Sequence, residues 1–162
     1  MSEDFFYCGD YSDPTGGDEG KEEPFSILEL HAEMYALGDK YQAPGLLRLA
    51  MQKYEGRLKR DWVPQAFLRS IARVYKLTPE SNRELRNATF RHARSNIEQF
   101  QSDDAMRIQF KGTCLDVPEF AIDLLQSYID VPLRGDYSQC GRRQPVEPIQ
   151  LRCLKCGEGG AR

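Results

Sequence analysis

The feature that most constrains the fold of this chain is a pair of amphipathic segments within residues 30–54, joined by a very short turn. In each segment, apolar residues recur three and four positions apart, which keeps them on one face of an α-helix. The turn contains Pro44, and a proline suits the first turn of a helix because its missing N–H is not needed there. The pattern therefore predicts a helical hairpin whose two apolar faces share a core. These apolar positions are Leu30, Met34, Leu37 and Tyr41, then Leu46, Leu49, Ala50 and Tyr54.

Further helices are predicted on both sides of this hairpin, which makes the fold mainly α. Ser26 and Glu29 are spaced as in a capping box, so the first helix is expected to begin at Ser26. Residues 107–110 are ambiguous and are compatible with a short strand or a loop. The first two expected helices are 26–40 and 44–60. A third begins within 61–64 and carries Phe67, Leu68, Ile71, Val74 and Tyr75. A fourth runs from Thr78 as N-cap to Phe100, and a fifth runs from Pro118 to Asp130 through Phe120, Leu124, Leu125 and Tyr128.

Charge is distributed unevenly along the 162 residues. Residues 1–23 contain eight acidic side chains and one lysine, a net charge of −7, which leaves +4 for the rest of a chain whose overall charge is −3. Residues 12–25 combine acids with glycine and proline, so we expect a disordered acidic linker there. The acidic overall balance argues against nucleic-acid binding. No apolar run of about 18 residues and no secretion signal is present, so we expect an intracellular protein, in the cytoplasm or nucleus, without a membrane span.

The five cysteines are an odd number without secretory context, which favours free thiols or metal ligands over disulfides. Cys153 and Cys156 are separated by two residues and followed by a glycine, which is the spacing of a zinc-binding turn. Cys140 lies nearby and is also followed by a glycine. We interpret Cys140, Cys153 and Cys156 as candidate zinc ligands, with surface thiols in a flexible tail as the alternative. A fourth ligand would come from Cys8, Cys114, a histidine or another chain.

No arrangement of residues predicts catalysis, so we expect a protein that is not an enzyme. His31 and His92 lie beside apolar stripes on predicted helices and are interpreted as packing or surface residues. A cluster of arginines on the fourth helix is interpreted as a solvated helix face, with phosphates, an acidic partner or the acidic leader of the same chain as the alternatives. Its members are Arg83, Arg86, Arg91 and Arg94.

Aromatic residues fall into two groups. Trp62 and the aromatics at helical spacing are expected in the core. Four aromatics instead form a dense segment outside the helical body, which either packs back on the hairpin or remains exposed as a partner surface. These four residues are Phe5, Phe6, Tyr7 and Tyr11.

Several of these segments resemble the last helical hairpin of a BTB/POZ domain of the fungal type. The matching residues are Tyr35, Leu37, Asp39, Lys40, Tyr41, Gly45, Leu46 and Ala50, whereas Gly38 stands where these domains usually have alanine. Residues 5–11 resemble the segment before that hairpin, and residues 74–81 resemble the helical extension after it. Such domains normally open with strands and helices that would precede residue 5, so the resemblance implies a domain truncated at its N-terminus.

The resemblance and the residue patterns together predict three regions and a function. We expect a partial BTB/POZ-like region at 1–60, a helical extension at 61–131 and a flexible cysteine-containing tail at 132–162. The resemblance implies a non-enzymatic adaptor or regulator that binds a protein partner, either another BTB-type chain or a cullin-type ubiquitin ligase scaffold. The alternative is a small zinc-stabilised regulator, associated with nucleic acid or chromatin, that uses the three C-terminal cysteines and the basic helices.

Overall fold

The computed structural model describes residues 10–11, 26–60, 63–130, 134–145, 153 and 155–159. Within these residues the fold is mainly α, as predicted from the sequence. None of the described helices combines the length and the apolar character that a membrane span requires. The elements in chain order are α1 (Ile27–Lys40), α2 (Pro44–Arg60), α3 (Pro64–Leu77), α4 (Glu84–Ser95), a 3₁₀ helix (Ile97–Gln101), α5 (Asp104–Asp116), α6 (Pro118–Asp130), β1 (Arg134–Tyr137) and β2 (Gly141–Pro145).

The predicted helical hairpin is present as α1 and α2, which pack closely against each other. Ser26 is the N-cap of α1, and its capping box with Glu29 is complete: the Ser26 backbone N–H donates to the Glu29 carboxylate, and the Glu29 N–H donates to the Ser26 hydroxyl. Tyr35 and Tyr54 are fully buried between the helices and their neighbours. The hairpin therefore forms for the reasons that its sequence pattern indicates.

Gly38 lies where the end of α1 comes closest to the beginning of α2. A Cβ atom at this position would stand 2.8 Å from the backbone nitrogen of Leu47 and 3.0 Å from its Cα. The Ala43 N–H also donates to the Gly38 carbonyl at 2.8 Å, which closes the turn. Glycine weakens a helix by about 1 kcal/mol relative to alanine. Here the missing side chain is what allows the two backbones to approach.

Helix α3 packs against the hairpin with the five predicted residues, all of which are buried. A buried polar cluster links three helices at their interface: the Tyr54 hydroxyl lies 3.4 Å from the Ser70 hydroxyl and 3.2 Å from the Thr89 hydroxyl. Ser70 and Thr89 also donate to backbone carbonyls of their own helices. Each buried hydroxyl therefore has a partner, as burial of polar groups requires.

The segment between α3 and α4 differs from the sequence expectation. Thr78 does not begin a helix; it ends α3, where both its backbone N–H and its hydroxyl donate to the carbonyl of Val74. Helix α4 begins only at Glu84 and ends at Ser95, after which the chain continues as the 3₁₀ helix that contains buried Phe100. The prediction of one helix from Thr78 to Phe100 is therefore wrong at both ends.

Residues 107–110 are helical and not a strand or loop, because Phe110 faces inward on α5 as part of an aromatic column. Its ring stacks on Phe100, with centroids 4.9 Å apart, and meets Phe120 edge-on at 6.4 Å. Phe67 extends the column beyond Phe100, and Tyr75 extends it beyond Phe120. The column joins α3, the 3₁₀ helix, α5 and α6, and such ring contacts contribute to stability beyond the area they bury.

The last helix, α6, follows the predicted range and presents Phe120, Leu124 and Ser127 to the core. Leu125 was assigned to the same inner face, but it is 62% exposed. Beyond α6 the strands β1 and β2 form an antiparallel hairpin, with Tyr137 opposite Gly141 at its closed end. No strand was predicted in this part of the chain. The hairpin places one of the candidate metal ligands, Cys140, in its turn.

Candidate metal centre

Residues 153–157 form a tight turn that positions two of the candidate ligands; we refer to it as the second knuckle. The Gly157 N–H donates to the carbonyl of Cys153 at 2.8 Å, so the chain reverses between the two cysteines. Gly157 has a φ of 72°, a left-handed conformation that glycine adopts without steric cost. The Cys153 N–H in turn donates to the carbonyl of Glu158 at 2.8 Å. The turn therefore brings Cys153 and Cys156 to the same side.

The third candidate ligand comes from the closed end of the β1–β2 hairpin, residues 137–141, which we refer to as the first knuckle. Cys140 ends the turn, and Gly141 after it has a φ of 89°. Glu158 joins the two knuckles: the Ser138 hydroxyl donates to one of its carboxylate oxygens at 2.6 Å, and the Gln139 N–H donates to the other at 3.1 Å. These hydrogen bonds, led by that from Ser138, lower the pKa of Glu158.

The two knuckles bring the three sulfur atoms together. The Cys140 sulfur lies 3.2 Å from that of Cys153 and 3.3 Å from that of Cys156, and all three sulfurs lie within 4.8 Å of one another. A disulfide would need a separation of about 2.05 Å. Thiolates bound to one zinc ion at about 2.3 Å stand about 3.8 Å apart in a tetrahedron. The spacings of 3.2 and 3.3 Å lie between these two values, so the sulfurs are close together without being bonded to one another. A thiolate donor set of this kind suits zinc.

The three thiols do not ionise equally. Although burial opposes ionisation of Cys153, backbone N–H groups of Cys156 and Lys155 and the thiol of Cys140 donate to its sulfur and lower its pKa to about 7. Burial, together with donation to the other two sulfurs, raises the pKa of Cys140 to about 12. Because the thiolate is the metal ligand, Cys153 is better prepared than Cys140 to bind a cation.

The other residues considered as ligands are not part of this cluster. Cys114 lies half-buried on α5, packed against the helical core, and burial raises its pKa. His31 is buried, with its Nδ1 atom 2.8 Å from the Tyr11 hydroxyl. His92 packs on the ring of Phe67, and burial lowers its pKa to about 4. Cys8 lies outside the described residues.

Tyr11 packs on the helical hairpin and is only 3% exposed. Besides His31, it contacts Lys53, whose ammonium lies 4.4 Å from the centre of the tyrosine ring and 2.9 Å from the Asp10 carboxylate. For Tyr11 the structure thus shows the first of the two predicted arrangements and not an exposed contact surface. The other three residues of the predicted partner surface, Phe5, Phe6 and Tyr7, lie outside the described residues, as does Trp62.

Three of the four clustered arginines bind other parts of the helical body. Arg83 forms ion pairs with Glu80 and with Asp123 of α6. Arg86 donates to the carbonyls of Tyr75 and Thr78 at the end of α3. Arg94 donates to the Ser127 carbonyl, and its guanidinium lies 4.9 Å from the Tyr128 ring centroid. The cluster therefore joins α3, α4 and α6. Pairing within the chain was one of the predicted alternatives, but with the acidic leader and not with these helices.

The outer faces of α5 and α6 carry an apolar surface that the sequence interpretation missed. On α6 the spacing of these residues is i, i+3, i+7 and on α5 it is i, i+7, so each set lies along one face of its helix. That spacing is visible in the sequence, where Leu125 was grouped with Phe120, Leu124 and Tyr128 of the same expected helix. The exposed side chains, each between 62% and 72% accessible, are Ile108, Leu115, Ile122, Leu125 and Ile129.

Comparisons of the chain with family models, with curated proteins and with solved structures found no match.

Proposed function

We propose that this chain is a non-enzymatic protein–protein interaction module of the adaptor or regulator type. The observation that carries the proposal is the outer apolar surface of α5 and α6 defined above. Isolated exposed apolar residues are common, but five large aliphatic side chains on two consecutive helices are typical of a binding surface. The partner chemistry this favours is a protein with an apolar groove or helix face.

The BTB/POZ resemblance of the hairpin supports the same class of function by analogy of fold. It suggests another BTB-type chain, or a cullin-type ligase scaffold, as the partner. Binding to either partner would place the protein in the cytoplasm or nucleus. Three reduced thiols at non-bonded distance are also in keeping with a reducing compartment.

Charge introduced on the apolar surface is expected to abolish partner binding without unfolding the protein. We expect the double variant Ile122→Lys/Leu125→Lys to raise the Kd for a purified BTB-type chain or cullin N-terminal domain by roughly 100-fold, because each lysine would be desolvated at the interface. Isothermal titration calorimetry measures the Kd, and light scattering measures self-association.

The matched control is Gln52→Lys/Ser81→Lys, which adds the same charge at exposed positions of α2 and of the turn before α4. It should bind like the unmodified protein, and circular dichroism should show equal helix content in all three. Equal binding by both double variants, or no binding of either partner class by the unmodified protein, would refute the proposed function as stated.

The second candidate function, a zinc-stabilised regulator, is favoured by the convergence of Cys140, Cys153 and Cys156. Bound zinc would link the β1–β2 hairpin to the second knuckle and would act as a structural cross-link. The nucleic-acid part of this alternative has less support, because Arg83, Arg86 and Arg94 bind groups within the chain.

Zinc should co-purify with the protein at about one ion per chain, held by the three thiolates. Substitution of Cys153 by serine should reduce the zinc content to near zero, because it leaves only two of the three thiolate ligands. Mass spectrometry of the metal content measures this directly. Cys114→Ser is the matched control and should keep its zinc. Metal-free protein from zinc-supplemented cells, or equal zinc loss in both variants, would contradict the assignment.

A further inference from the structure

The two knuckles have the same sequence layout although only one of them contains two cysteines. Each spans five residues and ends in Cys-Gly: Cys140-Gly141 in the first and Cys156-Gly157 in the second. The first residue of the second knuckle is the ligand Cys153. The first residue of the first knuckle is Tyr137. A repeat of this kind predicts that position 137 corresponds to position 153.

The backbone supports this correspondence. The two glycines have similar left-handed φ angles, 89° at Gly141 and 72° at Gly157. In the second knuckle, Gly157 is hydrogen-bonded to the residue four positions earlier, Cys153. In the first knuckle, Gly141 is paired across the hairpin with the residue four positions earlier, Tyr137. Positions 137 and 153 therefore correspond in sequence, and each is linked through the backbone to the glycine four residues later.

The two knuckles also face each other as the halves of a four-ligand site would. The sulfur of Cys140 lies at nearly equal distances, 3.2 and 3.3 Å, from the two sulfurs of the second knuckle. Glu158 fixes the relative position of the two turns by accepting hydrogen bonds from Ser138 and Gln139. Structural zinc sites are almost always four-coordinate and tetrahedral. Three corners are thus supplied by cysteines, and the layout assigns the fourth to position 137.

We propose that position 137 is the fourth corner of this centre, and that with tyrosine there the bound ion keeps one coordination position for an exchangeable ligand from solvent. This inference rests on the zinc site of the second candidate function. A phenol with its ordinary pKa near 10 is a poor zinc ligand at neutral pH, and thiolates are the softer donors. Among the described residues, Cys114 does not compete for this corner, because it lies against the helical core.

The experiment compares metal binding by the unmodified chain with that by Tyr137→Cys, kept under reductant. Zinc affinity is measured in competition with a chromophoric chelator. Cobalt(II) is then used as a spectroscopic substitute, because its thiolate charge-transfer absorption increases with the number of bound sulfurs. Gln139→Cys is the matched control, since it adds a thiol two residues out of register in the same exposed turn and keeps the backbone N–H that donates to Glu158. Tyr137→Phe tests the phenol itself.

We expect Tyr137→Cys to lower the Kd for zinc by roughly tenfold or more and to raise the cobalt charge-transfer absorption by about one third, as a fourth thiolate joins three. Gln139→Cys and Tyr137→Phe should leave the Kd unchanged within about threefold. Added imidazole should shift the cobalt spectrum of the unmodified chain, because it enters the open position. It should leave the spectrum of Tyr137→Cys unchanged.

The proposal is overturned if Tyr137→Cys gains no affinity, if Gln139→Cys gains as much, or if Tyr137→Phe binds zinc more weakly, which would make the phenol a ligand. It is also overturned if neither the unmodified chain nor Tyr137→Cys binds metal. Stoichiometric binding by Tyr137→Cys alone would uphold the four-cornered layout and reject zinc binding by the native chain. Zinc binding by the native chain with no gain of affinity in Tyr137→Cys would uphold the zinc site and reject the four-cornered layout.

Discussion

Replacement of Arg86 by methionine is expected to lower the free energy of unfolding by about 3 kcal/mol, because it leaves polar groups at the end of α3 without partners. The Arg86 guanidinium donates to the carbonyls of Tyr75 and Thr78 and, at 3.0 Å, to the Thr78 hydroxyl. It also lies 4.9 Å from the centre of the Tyr75 ring. The Arg86 side chain is only 11% exposed, so water replaces these contacts poorly. Urea unfolding followed by circular dichroism measures the loss.

Three further variants distinguish the stability lost with the carbonyl contacts of Arg86 from the stability lost with its charge. Arg91→Met removes an exposed arginine from the same helix and should change stability by no more than about 0.5 kcal/mol. Glu80→Gln removes the surface ion-pair partner of Arg86, which lies 2.9 Å away and is 71% exposed, and should also have a small effect of about 0.5 kcal/mol. Arg86→Lys should lose much of the stability, because an ammonium lacks the planar fork that reaches several acceptors. Equal losses from Arg86→Met and Arg91→Met would contradict this account.

Helices whose boundaries depend on local chemistry could be predicted from the sequence. Ser26 with Glu29 marks the start of α1, Pro44 and Pro64 mark the starts of α2 and α3, and Pro118 marks the start of α6. In each case the signal and the structure it specifies lie within one helical turn. The apolar period then identifies most of the inner face of the first three helices. Tyr41, predicted on the apolar face of the hairpin, is an exception: it follows the last turn of α1 as its C-cap and is 63% exposed.

The predictions failed where contacts distant in sequence decide the structure. Thr78-Pro79 has the composition of a helix start, but Arg86 binds the Thr78 carbonyl and Thr78 itself ends α3. The alternation of Ile108 and Phe110 suggested a strand, yet Ile108 is 72% exposed on a helix while Phe110 stacks on Phe100. The contacts of Arg86 with Thr78 and of Phe110 with Phe100 join residues eight and ten positions apart, so a local window of sequence does not encode them.

For the candidate metal centre too, part of the arrangement could be predicted from the sequence and part could not. The Cys153–Cys156 spacing is a local signal and was sufficient to identify both residues as candidate ligands. That Cys140 joins them depends on the β1–β2 hairpin and on Glu158, whose acceptor role has no signature in sequence. The internal arginine contacts are also tertiary, since Asp123 follows Arg83 by forty residues. The sequence shows which side chains share a helix face but not which face of another helix they meet.

Gly38→Ala is expected to destabilise the protein by about 2 kcal/mol, although alanine is the better helix former. The added Cβ would stand 2.8 Å from the Leu47 nitrogen, and this atom belongs to the backbone of α2, so no side-chain rotation relieves the contact. Separation of α1 from α2 would cost about 1–3 kcal/mol and would outweigh the gain of about 1 kcal/mol in helix propensity. The alanine usual in the BTB hairpins that this segment resembles would not fit between these helices as they lie here. Thermal unfolding should show a melting temperature lower by roughly 4–8 °C.

Gly112→Ala is the matched control, because Gly112 lies in α5 with no atom within 4 Å of the Cβ position. The same substitution there should raise the free energy of unfolding by up to about 1 kcal/mol, since only the helix propensity changes. Two glycine-to-alanine changes within helices of one chain are thus expected to have opposite signs. The sign of the stability change at residue 38 is set by the distance between the backbones of α1 and α2. At residue 112 it is set by helix propensity alone. A stabilising Gly38→Ala would mean that α1 and α2 separate at little cost, and the close approach at Leu47 would then not be what selects glycine.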